Sequence, residues 1–124
     1  MKILVVDDER DVQVLFEQRF RREIKNGDME FVFAYSGEEA ISYLNGHNHE
    51  AVLILSDINM PGMSGLQLLG HIKEKHKTPP PIVMMITAYG DAENYNTAMQ
   101  LGADDFLTKP LDFSILKEKL KEIG

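Results

Sequence analysis

The sequence predicts an α/β fold: a parallel β-sheet with helices packed on both of its faces. Three observations predict it. Short apolar runs alternate with stretches of helical period five times along the chain. The runs are continuously apolar, as in AVLIL (51–55) and IVMMI (82–86), which marks strands buried on both faces. The helical stretches between them supply the crossovers that parallel strands need, and right-handed crossovers leave few topologies.

Each element follows from its residues. KILVV (2–6) is a short buried strand, β-branched and ending in charge. Val12, Leu15, Phe16, Phe20 and Ile24 recur at spacings of three and four and form one face of the first helix. Asn26-Gly27-Asp28 ends it. MEFVFAY (29–35) is the second strand. Ser36 opens the second helix, with Glu39 three residues on as in a capping box and Ala40, Ile41 and Leu44 facing inward. AVLIL is the third strand. Ser64 caps a third helix through Leu66, Leu68, Leu69 and Ile72. TPPP (78–81) fits neither a helix interior nor a central strand, and delivers the chain into IVMMIT (82–87). A weakly amphipathic fourth helix over about 91–101 ends at Gly102. DDFLT (104–108) is the last strand. Asp112 caps the fifth helix, with Phe113, Leu116, Leu120 and Ile123 inward.

Composition bounds the function. A chain of 124 residues is one domain, long enough to remove roughly two-thirds of its unfolded surface from water. A net charge of −7 argues against direct binding of nucleic acid, a polyanion. With no cysteine there is no disulfide, thiolate nucleophile or Cys-ligated zinc. No apolar run approaches a bilayer-spanning length, and the N-terminus is too short for a secretory signal, so a cytoplasmic location is expected.

In a parallel sheet all strands end on one edge, where ligands bind. Strand 1 delivers Asp7-Asp8-Glu9 to that edge, strand 3 Asp57, strand 4 Thr87-Ala88 and strand 5 Lys109-Pro110. Asp57 is expected to stand exposed above its strand, beneath a loop braced by Pro61, Gly62 and Gly65. Three close carboxylates do not all stay ionised unaided. A hard divalent cation such as Mg²⁺, with Mn²⁺ as a substitute, answers this and leaves positions for phosphate. The turn aims a backbone carbonyl, that of Asn59, at the metal. A nucleophilic carboxylate, a metal, a lysine and a hydroxyl together suit phosphoryl transfer, where the protein mainly positions and neutralises.

Each residue alone has a plainer reading. Asp7 or Asp8 caps the first helix, Asp57 forms a turn, Thr87 caps or turns, and Lys109 is a solvated surface cation. Separate structural roles do not predict that all of them fall on one edge.

VVDDE, SDINMPGMSG, ITAYG and GADDFLTKP, in that order, resemble the receiver domain of two-component response regulators over essentially the whole chain. The resemblance implies a flavodoxin-like, doubly wound sheet of order 2-1-3-4-5, a single receiver domain over 1–124 and no output domain within it. It implies Asp57 as the acceptor of a phosphoryl group from a histidine kinase or phosphotransfer protein. It implies that Asp8 binds Mg²⁺ directly, Asp7 through water, and that the Asn59 carbonyl completes the protein's share. Thr87 hydrogen-bonds the acyl phosphate and Lys109 pairs with a phosphate oxygen. The Lys109–Pro110 bond is expected to be cis. Phe106 is the switch aromatic that follows Thr87. Glu9 and Ala88 lie just behind the site. The fourth helix, fifth strand and fifth helix then form the surface presented to a downstream protein or output domain. The resemblance also implies a protein that is not a turnover enzyme but catalyses its own phosphorylation and dephosphorylation.

Two rivals use similar parts. A haloacid-dehalogenase-like phosphatase with Asp57 as nucleophile needs a second Asp two residues on, where this chain has Asn59. A flavodoxin-like FMN carrier needs a hydroxyl- and glycine-rich phosphate loop where this chain has Asp7-Asp8-Glu9. The remaining charged and histidine positions read as ordinary surface. His47, His49, His71 and His76 lack ligand spacing, Arg19, Arg21, Arg22 and Lys25 form a solvated helix end, and Glu118, Lys119, Lys121 and Glu122 form a charged helix face.

Asn59 and Tyr89 stand two residues after Asp57 and Thr87, positions that tune dephosphorylation in the family. Bulky Tyr89 is expected to restrict water, so Tyr89→Ala should shorten the phosphoryl lifetime. An unchanged decay rate in a single-turnover dephosphorylation assay would refute this.

Overall fold

The computed structural model describes residues 1–46, 53–75, 81–88 and 91–123. Five strands, β1 (Lys2–Val6), β2 (Glu30–Ala34), β3 (Leu53–Asp57), β4 (Ile82–Ala88) and β5 (Asp105–Lys109), form one parallel sheet in the order β2-β1-β3-β4-β5. The doubly wound α/β arrangement and its strand order match the expectation. The order reverses between β1 and β3, which opens a crevice at the C-terminal ends of those two strands.

Six helices cover the sheet: α1 (Asp11–Arg19), α2 (Arg21–Lys25), α3 (Gly37–Gly46), α4 (Gly65–Lys75), α5 (Ala92–Gln100) and α6 (Phe113–Ile123). The expected first helix is divided at Phe20, whose backbone (φ −110, ψ 22) leaves the helical region. The fourth and fifth expected helices are therefore α5 and α6. Phe16 and Phe20 are fully buried, but Leu15 and Ile24 are exposed, against the expectation. The buried stripe runs at a spacing of four. Leu15 falls about 100° from Phe16 around the helix, and the break at Phe20 separates Ile24 from the α1 face.

Successive strand residues feed two separate cores, because side chains alternate across a sheet. Leu4, Val6, Ile54, Val83 and Met85 pack with α3, α4 and α5 through Leu44, Leu68, Leu69, Ile72 and Ala98. Ile3, Val5, Leu55, Met84 and Leu107 pack on the other face with Phe16, Phe20, Leu116 and Leu120. Aromatic rings fill that second core. Phe16 meets Phe113 edge-on at 5.2 Å, and Phe20 meets Phe31 at 5.0 Å.

The helix starts follow the expected chemistry. Ser36 Oγ accepts from the Glu39 N–H at 3.0 Å, and Glu39 reaches back to the Tyr35 N–H at 3.2 Å. Ser64 and Gln67 make the reciprocal pair at α4. Asp91 accepts from the Asn94 N–H, and Asp112 from those of Ser114 and Ile115. No helix of the described residues is long and apolar enough to cross a membrane. Phe16→Ala should cost about 3–5 kcal/mol, the range for emptying a buried aromatic position, measured by urea unfolding; a loss under 1 kcal/mol would contradict this packing.

Candidate functional site

β1 and β3 are neighbours, so the residues that follow them meet at the crevice. Asp7, Asp8 and Asp57 each place a carboxylate oxygen so that all three lie within 4.8 Å of one another. Lys109, the last residue of β5, reaches over them. Its Nζ donates to Asp57 Oδ2 at 2.6 Å.

The local chain explains why these side chains hold still. The Asp7 N–H donates to the Ala34 carbonyl, and Asp7 Oδ1 accepts from the Glu9 N–H at 2.9 Å. Neither Asp7 nor Asp8 caps α1, whose N-cap position is Arg10 without a side-chain cap. After Asp57, the Ile58 N–H continues the ladder to the Ile86 carbonyl, and the Gly65 N–H closes the loop onto the Ile58 carbonyl at 2.8 Å. A Cβ on Gly65 would stand 2.0 Å from the Asp57 carbonyl oxygen, so only glycine permits this closure. Asn59 is exposed between buried Ile58 and Met60, and its N–H donates to Asp57 Oδ1 at 3.3 Å.

Asp57 is not exposed, as the sequence suggested, but 2% accessible. The Lys109 side chain lies across its Oδ2, and the loop that closes at Gly65 starts directly after it. Lys109 is likewise no free surface cation. Burial alone would lower its ammonium pKa, but the hydrogen bond and charge of Asp57, with Asp7 and Glu9, hold it above its ordinary value. Burial pushes the Asp7 carboxyl up; the Glu9 N–H offsets part of this, and the Asp57 charge adds to it.

Thr87 is buried near the end of β4, its hydroxyl only 3.5 Å from the Ala88 carbonyl. α5 is capped by Asp91 instead. A depression of about 250 Å³ beside Thr87 is lined by Ala88, Asp91, Ala92, Tyr95 and Thr108. Phe106 pairs with Met85 in the sheet and sets its ring 4.3 Å from that of Tyr95. The Lys109–Pro110 peptide is cis. Tyr89, His47, His49 and His76 lie outside the described residues.

Two contributors carried no sequence signal. Glu38, in the first turn of α3, accepts from the Met63 N–H at 3.0 Å and so holds the loop after Asp57 from 25 residues away. Tyr95 is the ring against Phe106. Lys119, read as part of a plain charged face, pairs with Asp105 at 2.7 Å.

Three carboxylates face one ammonium, so the cluster carries excess negative charge that a hard divalent cation fits through its oxygen donors. The raised Asp7 pKa gives a signed expectation. Its charged form is penalised in the fold, so Asp7→Asn should stabilise the metal-free protein. The gain is absent at pH below the ordinary value of 3.8, grows as pH rises from there to the folded pKa, and is constant above it. At neutral pH the melting temperature measured in chelator should rise on Asp7→Asn; a fall would overturn the assignment.

Known proteins share this fold and sequence pattern. The family model described as "Response regulator receiver domain" matches residues 3–121. The chain is 37% identical over 111 residues to the response regulator protein FleR of Pseudomonas aeruginosa, covering 90% of this chain but 22% of FleR. It is 36% identical to a chemotaxis protein CheY homolog of Campylobacter jejuni, covering 99% of this chain and 92% of that protein. A response regulator receiver domain protein of Clostridium thermocellum superposes with a TM-score of 0.84 at 28% identity, over 98% and 92% of the two chains. The chain belongs to the response regulator receiver domain family of two-component signalling systems.

Proposed function

We propose that this domain accepts a phosphoryl group on Asp57 from the phosphohistidine of a histidine kinase or phosphotransfer protein. The observation that carries the reading is the Lys109–Asp57 contact inside a three-carboxylate cluster at the sheet crevice. An Asp57 oxygen attacks phosphorus, the phosphorus–nitrogen bond breaks, and the imidazole leaves with the electron pair. Asp8, Asp57 and the Asn59 carbonyl would hold Mg²⁺, or Mn²⁺ in its place, with Asp7 acting through water. The ion supplies charge neutralisation for the phosphoryl oxygens.

The chain's own residues do the rest. Lys109 already lies against one oxygen of Asp57, and transfers its hydrogen bond to a phosphoryl oxygen. Thr87 gives up little by turning toward the acyl phosphate, since its hydroxyl contact is at the limit of hydrogen-bonding distance. A turn of Phe106 toward the space that Thr87 vacates would break its 4.3 Å ring contact with Tyr95. That repacking biases the face of α5, β5 and α6, where Tyr95, Met99 and Ile115 are exposed, toward a downstream protein or output domain. Glu9, Ala88 and Pro110 support the site, and Tyr89 limits water. Residues 1–124 act as one cytoplasmic receiver domain that binds neither membrane nor nucleic acid, and turns over no external substrate beyond its phosphodonor.

Intact mass after incubation with acetyl phosphate and Mg²⁺ tests this. One phosphoryl mass is expected, and it should be lost in Asp57→Asn and in EDTA. The reading falls if neither acetyl phosphate nor a phosphorylated histidine kinase gives an adduct.

A further inference from the structure

The basic residues that look like ordinary surface in the sequence converge in the fold. A groove of about 980 Å³ lies between the end of α1, α2 and α6, at the edge of the sheet opposite the acid cluster. Arg19, Arg21, Arg22 and Lys25 line it together with Lys117 and Lys121 of α6. These are six of the thirteen Lys and Arg residues in a chain of net charge −7. Glu23, the one acid in the lining, is taken by Lys117 at 3.6 Å. Among the described residues no carboxylate pairs with Arg21, Arg22, Lys25 or Lys121. Two of the cations are seated on rings of the core beneath: Arg19 lies 5.6 Å from the Phe113 centroid and Lys117 5.3 Å from that of Phe20.

A helix end favours a cation or two within its last turn. Six across one concavity go beyond that and repel one another unless an anion joins them. Arginine forks match phosphate oxygens two at a time, and the volume is that of a small-ligand site. Met29 is the only apolar residue of the lining, so the groove lacks the buried aromatic and aliphatic anchors on which protein partners depend.

We propose that this groove binds a small anion carrying several phosphate groups, at a site separate from Asp57. Calorimetry with inorganic triphosphate in metal-free, low-salt buffer tests it. One saturable site is expected, weakening as salt rises and unchanged in Asp57→Asn. Arg22→Ala with Lys121→Ala should weaken binding at least tenfold while the melting temperature holds. Lys2→Ala with Lys75→Ala, which removes the same charge elsewhere, should leave it within about twofold. The proposal is overturned if no saturable binding occurs, or if both double variants lose equally, which would mark a diffuse field. Tighter binding of an oligo-glutamate peptide or a short oligonucleotide would overturn it too, and would reassign the groove to a macromolecular partner.

Discussion

The ion pair between Lys109 and Asp57 joins the last strand to the middle of the sheet, 52 residues apart in sequence, at a place where three carboxylates crowd together. Without the ammonium, Asp57 would be a buried charge facing like charges, which is the costly arrangement. Much of the surrounding structure serves this contact. β1 must lie beside β3 for Asp7 and Asp57 to meet, and β5 must lie two strands away so that a long side chain spans the gap. The raised Lys109 ammonium and the raised Asp7 carboxyl record the same crowding from its two sides.

The β4–β5 edge of the sheet is held by single carboxylates with two duties. Asp104 Oδ2 accepts from the Val83 N–H and from Lys73, both at 2.8 Å, tying β4 and α4 to the entrance of β5. Asp105 accepts from the Phe106 N–H with one oxygen and from Lys119 with the other. β5 and α6 are thereby coupled, while Phe106, on the other face of β5, rests against the half-exposed Tyr95 of α5. The segment thus has an ion-paired frame on one face of β5 and an aromatic pair on the other.

Much of this was legible in the sequence. Asp57 follows a run so apolar that a carboxylate there needs a reason, and the acids after strand 1 and the lysine after strand 5 supply one. The serine and aspartate caps were readable because they act over three residues. What was not legible depends on distance or on phase. Leu15 and Ile24 fit the spacing, but the backbone breaks at Phe20 and a fully buried stripe of phenylalanines takes the inner face. Glu38 acts on Met63 across a gap no local pattern encodes. The burial of Asp57 depends on a lysine 52 residues later. The basic groove draws its two walls from opposite ends of the chain, each of which reads alone as an ordinary solvated helix.

The hydrogen bond from Gly65 to the Ile58 carbonyl makes the loop above Asp57 a strap of fixed circumference. One end is fastened to β4 through Ile58, the other enters α4, and Glu38 pins it midway at Met63. Side chains such as Asn59 can change in kind without altering the strap's length. Adding or deleting one residue would shift Gly65 out of the place where the Asp57 carbonyl leaves no room for a Cβ. The tolerance of this loop is therefore to spelling and not to number: residue 59 can change in kind while the position of Asp57 stays put.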